Sequence, residues 1–216
     1  MDSSYAHPED GFGSQFPAIF ETGATVLTAT AGPPTNYDID LDALATFGTG
    51  SDTAIVVTTA TPATGTIEAF AARIGVSERS ALELVDTTGT RPAYGAPYDE
   101  IPVLSTTGPG DLERLLVALA ELTESPVRSP ARRHLVVRSL SPLLEANPVE
   151  RITTVLERIR AYRSASGLCL FGFDFTNHDE ATLAALSEHV DGILWVRERA
   201  ANQPAFDYEP TTQHQL

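Results

Sequence analysis

The chain has 216 residues, 42% of them hydrophobic, which is enough for one sizeable core and too many for wholesale disorder. Its 29 Asp and Glu outnumber its 14 Lys and Arg, giving a formal net charge of -15, and all 14 of those basic residues are arginine. An acid excess without lysine fits a high-salt cytoplasm and a halophilic source, and it disfavours free nucleic acid as a partner, because phosphate neutralisation supplies most non-specific affinity.

The single cysteine, Cys169, excludes an intramolecular disulfide and a Cys-rich zinc site. Met1-Asp2-Ser3-Ser4 has neither the basic nor the apolar region of a secretory leader, and no apolar run approaches the ~18 residues of a membrane span. A cytoplasmic protein with no membrane span is expected.

In chain order, residues 1–22 carry Pro8, Gly11, Gly13 and Pro17 among scattered aromatics and read as a flexible N-terminal arm. Thr25 to Ala29 is the first predicted strand. The turn-rich loop Thr30-Ala31-Gly32-Pro33-Pro34-Thr35-Asn36 follows, with Thr35 or Asn36 as the expected cap of a helix over Asp38 to Phe47 that turns Ile39, Leu41, Leu44 and Ala45 inward. The β-branched run Thr53 to Thr59 predicts a strand covered on both faces. A short helix over Thr66 to Ile74 leads through Gly75-Val76 to a strand over Ser80 to Asp86. A loop with Pro92, Gly95 and Pro97 comes next. Ile101 to Ser105 is extended, and its Pro102 argues for an edge position. Asp111 caps a helix through Glu121 with Leu112, Leu115, Leu116 and Leu119 at helical spacing.

Beyond the linker Ser125 to Pro130, Leu135 to Leu144 (LVVRSLSPLL) reads as a buried strand entering a Ser/Pro turn. Asn147-Pro148 predicts an N-cap and first helical residue, and the helix runs to about Tyr162 with Val149, Ile152, Val155, Leu156 and Ile159 as its apolar stripe. Gly167 to Phe173 is a strand, His178 to His189 a helix capped by Asn177, and Ile193 to Arg197 the last strand. The tail over 200–216 is polar and expected to fray. Strands and helices alternate throughout, so the prediction is one three-layer α/β domain over residues 23–199 around a mostly parallel sheet, without a repeat or second domain.

A parallel sheet binds ligands beyond the carboxyl ends of its strands. The loop after Ala29 lies there, but it has one glycine, two prolines and no lysine where a phosphate loop needs several glycines, a lysine and a hydroxyl. At the end of the strand Leu135 to Val137, where a magnesium-holding strand would carry an acid, stands Arg138. An arginine repels the metal and grips a carboxylate or phosphate instead, and Asp86 or Asp174 at neighbouring strand ends is its expected ion-pair partner.

Ser139, Asp174 and His178 follow the order of some α/β hydrolases, but the elbow G-x-S-x-G is absent. Asp174, His178, Asp179 and Glu180 offer oxygen and imidazole ligands at no specific metal spacing, and helix capping explains the same letters. Arg128, Arg132, Arg133, His134 and Arg138 form the one basic concentration, which strand alternation splits between two faces.

Four segments in order carry a resemblance to the RecA superfamily. They are Thr25 to Thr35; Glu83 to Gly89; Ile101 to Leu112; and Leu135 to Asp191 with Ser139-Leu140-Ser141-Pro142-Leu143-Leu144 and His178-Asp179-Glu180. Within it the chain resembles the KaiC/GvpD/Rad55-like branch and the related HTR-like haloarchaeal proteins of unknown function. The ATP-binding members use a Gly-Lys-Thr in the phosphate loop and an Asp directly before the serine. Here the first is missing and Arg138 stands at the second, while Ser139 is retained.

The resemblance therefore implies a RecA-like (P-loop NTPase-like) fold with degenerate motifs. Thr30, Gly32, Thr35, Asn36, Arg138 and Ser139 would be a vestigial nucleotide site, with no catalytic residue, no metal and no cofactor. It implies a non-catalytic regulatory or adaptor protein with a protein partner, as a homodimer or hetero-oligomer. The alternatives are a sensor that binds a nucleotide or anion without hydrolysis, and a divergent hydrolase.

Overall fold

The structure is a computed structural model that describes residues 16–73, 81–90, 101–124, 131–199 and 203–211. Tyr5 and Phe12 of the arm, Gly75-Val76, the loop of Pro92 to Pro97, the linker Ser125 to Pro130 with Arg128, and residues 200–202 and 212–216 lie outside the described residues.

The elements in order are α1 (Ile19–Thr22), β1 (Thr25–Thr30), a 3-10 turn (Pro34–Asn36), α2 (Ile39–Phe47), β2 (Thr53–Thr58), α3 (Ala63–Arg73), β3 (Ala81–Asp86), β4 (Val103–Ser105) and α4 (Leu112–Glu124). They continue with β5 (Arg133–Val137), α5 (Ser141–Ala146), α6 (Val149–Ala161), β6 (Cys169–Asp174), α7 (Glu180–Ser187), β7 (Gly192–Arg199) and β8 (Gln203–Pro210). The eight strands form one sheet in the order β4-β3-β2-β5-β6-β1-β7-β8, parallel except for the antiparallel β7/β8 pair.

β1, β2 and β6 are buried at every position, as β-branched and apolar runs covered on both faces should be. Alternate residues feed two cores. Ile55, Val57, Leu135, Val137, Cys169, Phe171 and Phe173 pack under α4, α5, α6 and α7. Ala54, Val56, Val136 and Leu170 pack under α1, α2 and α3. This is the predicted three-layer arrangement. Close strand approach depends on glycine at two places: a Cβ on Gly167 would lie 1.9 Å from the Arg133 carbonyl oxygen, and one on Gly172 would lie 2.2 Å from that of Arg138.

Several local expectations are corrected. α2 buries Ala43 rather than Ala45, and α3 starts a turn earlier than Thr66. Asn147 does not cap α6; its amide donates to the carbonyls of Leu143 and Pro109, which ties α5 to the loop before α4. Asp179, not Asn177, caps α7 by accepting the Thr182 N–H at 2.8 Å. A strand, β8, occupies 203–210 of the tail expected to fray. Its Phe206 and Tyr208 pack on the core beside α1, while Asp207 and Glu209 face water. Thr211 N–H donates back to Asp191 O, so odd-numbered amides of β8 face β7 and even-numbered positions, Pro204 and Pro210 among them, face the open edge. Within the arm, Phe16 and Phe20 stack on each other and contact Phe47, which docks the part of it that is described.

The amino edge of the sheet is held by His134 on β5. Its Nδ1 accepts the Leu168 N–H at 3.0 Å, so the ring proton sits on Nε2, 3.4 Å from Asp52 Oδ2. Arg132 donates to the same carboxylate at 2.9 Å. Burial pushes the His134 pKa below its ordinary 6.5, and the Asp52 hydrogen bond does not restore it. Burial pushes the Asp52 pKa up, but hydrogen bonds from Arg132, Thr49 and His134 outweigh it and leave the pKa below 3.8. In both groups the unfolded chain takes up protons that the folded chain refuses, so stability is full above the unfolded pKa and lost as pH falls. The native chain therefore loses stability from about pH 6.5 downward. His134→Asn keeps an acceptor for Leu168 and has nothing to titrate there. Urea unfolding at several pH values should show its stability flatter than the native between about pH 7 and pH 5; parallel curves would rule out His134 as the cause.

Candidate functional site

The chain begins its sheet in the middle, runs from β1 to the β4 edge, returns to fill β5 and β6, and crosses to β7. The helix after β1 covers one face, while those after β5 and β6 cover the other. The crevice at their carboxyl ends is where such a sheet places a ligand. All six residues predicted from sequence lie around it.

Thr30 ends β1 fully buried, its hydroxyl 2.7 Å from the Gly32 carbonyl oxygen. Gly32 adopts φ 96°, the left-handed region that a Cβ disfavours, and its N–H donates to Asp174 Oδ1 at 3.0 Å. Pro33 and Pro34 bring no N–H, and Pro34 is buried. Thr35 and Asn36 sit in the 3-10 turn and do not cap α2. The amides of Asn36, Tyr37 and Asp38 donate to Pro33 O, Pro34 O and Pro34 O, and those of Leu41 and Asp42 donate to Asp38 O. A loop that cradles phosphate aims its N–H groups outward. These aim inward.

Arg138 follows β5 with only 2% of its surface exposed. The expected partners Asp86 and Asp174 are not its partners. Its guanidinium grips the start of α2 instead: Nη2 pairs with Asp38 Oδ1, Nε lies 3.1 Å from Asp40 Oδ2, and Nη1 donates to Thr66 Oγ1 at 3.2 Å. Arg73 of α3 completes the group, 2.9 Å from Asp38 and 2.7 Å from Asp42. Asp38 itself takes the left-handed conformation with φ 50°, which a short polar side chain tolerates. Burial raises the Asp40 pKa, with Arg138 pulling against it, and burial raises Asp42 with Arg73 opposing. These carboxylates are therefore placed where desolvation outweighs the attraction of their partners.

Asp86 and Asp174 are spent on their own turns. Asp86 accepts from the Thr88 N–H and hydroxyl and from the Ala63 N–H that opens α3. Asp174 accepts from the Thr176 N–H and hydroxyl, Asn177 Nδ2 and Gly32. Ser139 is buried and its carbonyl accepts from Thr59 Oγ1 at 2.6 Å. His178 does not join Asp174; its Nε2 lies 2.9 Å from Ser141 Oγ and its ring stacks on Phe173. Burial pushes the Cys169 thiol up to about 12, which makes it a core residue. Arg132, Arg133 and His134 of the basic run each hold an internal partner. Among the described residues no group of three or more His, Cys, Asp or Glu is placed to hold a metal.

Sequence reasoning found the crevice and Arg138 but missed Asp38, Asp40, Asp42, Arg73 and Thr66. The available signal was the alternation Asp38-x-Asp40-x-Asp42 in the first turn of a helix following a phosphate-loop position.

The family of unknown function DUF7504 matches over residues 23–196. No curated protein matches the chain. Among solved structures, PH0250 from Pyrococcus horikoshii OT3 is similar at 14% identity, with TM-score 0.54 and coverage of 94% of this chain and 92% of that one. The uncharacterized protein PH0321 from Pyrococcus horikoshii, in complex with an unknown peptide, is similar at 15% identity, with TM-score 0.54 and coverage of 86% and 92%. A prototypical ATPase from the type III secretion system of pathogenic bacteria is similar at 10% identity, with TM-score 0.54 and coverage of 88% of this chain and 58% of that one. At these identities the likeness is one of fold: a three-layer RecA-like, P-loop NTPase-like architecture.

Removing one partner of a buried ion pair leaves an uncompensated charge. Arg138→Met is expected to lower the unfolding free energy by about 3–5 kcal/mol. Arg138→Met/Asp40→Leu should be closer to the native chain than Arg138→Met alone, since it removes the stranded carboxylate as well. Urea denaturation of the two variants decides it, and an equal or larger loss in the double variant would contradict the pairing.

Proposed function

Starting from a chain that belongs to the family of unknown function DUF7504, we propose that it is a RecA-like core that does not hydrolyse nucleotide and acts as a regulatory or adaptor protein through protein contacts. The observation that carries this reading is the internal ion-pair group at the crevice. Asp38 and Asp40 lie at the helix start that receives phosphate in a nucleotide-binding relative, and Arg138 lies where the metal-orienting acid would be. An incoming phosphate meets carboxylates already paired with Arg138 and Arg73, and the amides of Asn36, Tyr37, Asp38, Leu41 and Asp42 are bonded elsewhere. A divalent metal meets an arginine. Neither the positioning nor the electrostatic stabilisation that phosphoryl transfer requires is supplied by these residues.

A protein-contact role is in keeping with PH0321, whose structure holds an unknown peptide. Membership of the KaiC/GvpD/Rad55-like branch is part of the proposal, supported by the serine retained at Ser139 and by the strand and loop order. Among the described residues no helix is long and apolar enough to cross a membrane.

The test is calorimetric titration with ATP and ADP plus magnesium, beside an ATP turnover assay. The expected result is neither heat nor turnover at about millimolar nucleotide, an affinity below roughly 4 kcal/mol. Magnesium-dependent turnover that disappears in Arg138→Ala would overturn the proposal, and saturable heat without turnover would replace it with a nucleotide sensor.

The proposal places the protein in a halophilic, archaeal cytoplasm, on the ground of a -15 charge without lysine. Its melting temperature should then rise as KCl increases from about 0.1 M to about 2 M, because salt screens the repulsion among surface carboxylates. A flat or falling melting temperature would refute the high-salt origin.

A further inference from the structure

α6 buries Ile152, Val155, Leu156 and Ile159 and turns its other face to water. Along that face the order is Glu150, Arg151, Thr154, Glu157, Arg158, residues that share one side of a helix at i, i+1, i+4, i+7 and i+8. The charges are antisymmetric about Thr154: Glu150 lies four residues before it and Arg158 four after, and Arg151 lies three before it and Glu157 three after. Such an order gives little within the helix, because acid and base of each pair stand six or eight residues apart, the wider pair about 12 Å along the axis. It gives complete opposite-charge matching when a second identical helix lies antiparallel across it on a two-fold axis at Thr154. Glu150 then faces Arg158 of the second copy, and Arg151 faces Glu157 of the second copy, each pair occurring twice.

Further observations belong to the same surface. Between α4 and α6 runs an open groove of about 290 Å³, floored by Leu112, Leu116 and Val155 and rimmed by Glu150, Arg151, Thr154 and Arg158. Beside it Val117 of α4 is 53% exposed and is the one large hydrophobic residue so exposed among the described residues. The arginines at the crevice and the amino edge hold internal carboxylates and carbonyls, whereas Arg114, Arg151 and Arg158 of α4 and α6 hold none among the described residues. Glu157 has a neighbour, His189 Nδ1 at 3.3 Å from Oε1, and is 60% exposed beyond it. Thr154 suits a crossing point: it is small, and its hydroxyl already donates to the Glu150 carbonyl at 2.9 Å, so nothing polar is stranded when it is covered.

We propose that this face is a homodimer contact in which two copies of the chain pack α6 against α6, antiparallel and centred on Thr154, with α4 of each copy flanking α6 of the other. The apolar part comes from Leu116 and Val117, and the charge order fixes the register and the orientation.

The test uses the full chain in about 0.5 M salt, where general repulsion between two acidic chains is screened. Sedimentation equilibrium should show a dimer for the native chain. Glu150→Arg and Arg158→Glu each place like charges together twice per dimer and should weaken it on the order of tenfold. The exchange Glu150→Arg/Arg158→Glu restores opposite charges and should restore the dimer. Circular dichroism confirms that each variant is folded.

Because Cys169 is buried, Thr154→Cys introduces one accessible thiol at the proposed axis. Mild oxidation should link it across the two-fold, whereas Glu68→Cys on α3, in the opposite helical layer, should give no linked dimer. A native chain that stays monomeric at about 0.5 mM, an affinity weaker than roughly 4–5 kcal/mol, overturns the proposal. So does a dimer indifferent to the single charge reversals, or one that the double exchange fails to recover.

Discussion

The contact on which the carboxyl edge depends is the buried grip of Arg138 on Asp38 and Asp40. It joins the end of an inner strand to the first turn of the helix that follows β1, across a separation of about one hundred residues in sequence. Because Arg138 is nearly inaccessible, its charge has to be met from within. That requirement draws α2 down onto the strand end, holds Asp38 in the left-handed conformation and fixes the exit of the loop from β1. Thr66 and Arg73 bring α3 into the same group, so two helices of one layer are positioned by a single guanidinium. Buried ion pairs of this kind specify geometry more surely than they add stability.

Around this group the strand ends repeat one device. Asp86 and Asp174 each close a turn on a threonine two residues later, and each reaches across to an amide in the connection that leaves the neighbouring strand, Ala63 after β2 for one and Gly32 after β1 for the other. In a protein so rich in acids, two carboxylates at the carboxyl edge of a parallel sheet invite a metal or catalytic reading. Their oxygens are instead filled by N–H and O–H donors of the chain itself. The crevice that the topology creates is thus lined by groups already bonded to one another.

The sheet was legible because its strands are unusually uniform. Val56-Val57 in β2 and Leu135-Val136-Val137 in β5 are apolar on both faces, which only a covered parallel sheet accommodates. Arg138 was legible as an anomaly, since a lone cation at such a strand end demands a partner. Its partner was not, because an arginine side chain reaches several elements and the choice among Asp38, Asp86 and Asp174 is made by packing. The helix caps went astray because other acceptors claim the expected side chains: Asn147 donates to Leu143 O and Pro109 O, which leaves α6 without a side-chain cap, and Asn177 donates to Asp174, which leaves Asp179 to cap α7. β8 was hidden by its prolines, although Phe206 and Tyr208 alternating with Asp207 and Glu209 carry the period of a half-buried strand.

Those prolines have a consequence for how the sheet ends. On the free side of β8 the outward amide positions are 204, 206, 208 and 210, and two of them cannot donate. An invading strand would find hydrogen-bond donors at Phe206 and Tyr208 alone, between exposed carboxylates at Asp207 and Glu209. At the other border β4 is three residues long and preceded by Pro102. Both borders of the described sheet therefore offer few donors to a further strand, which disfavours edge-to-edge β growth there.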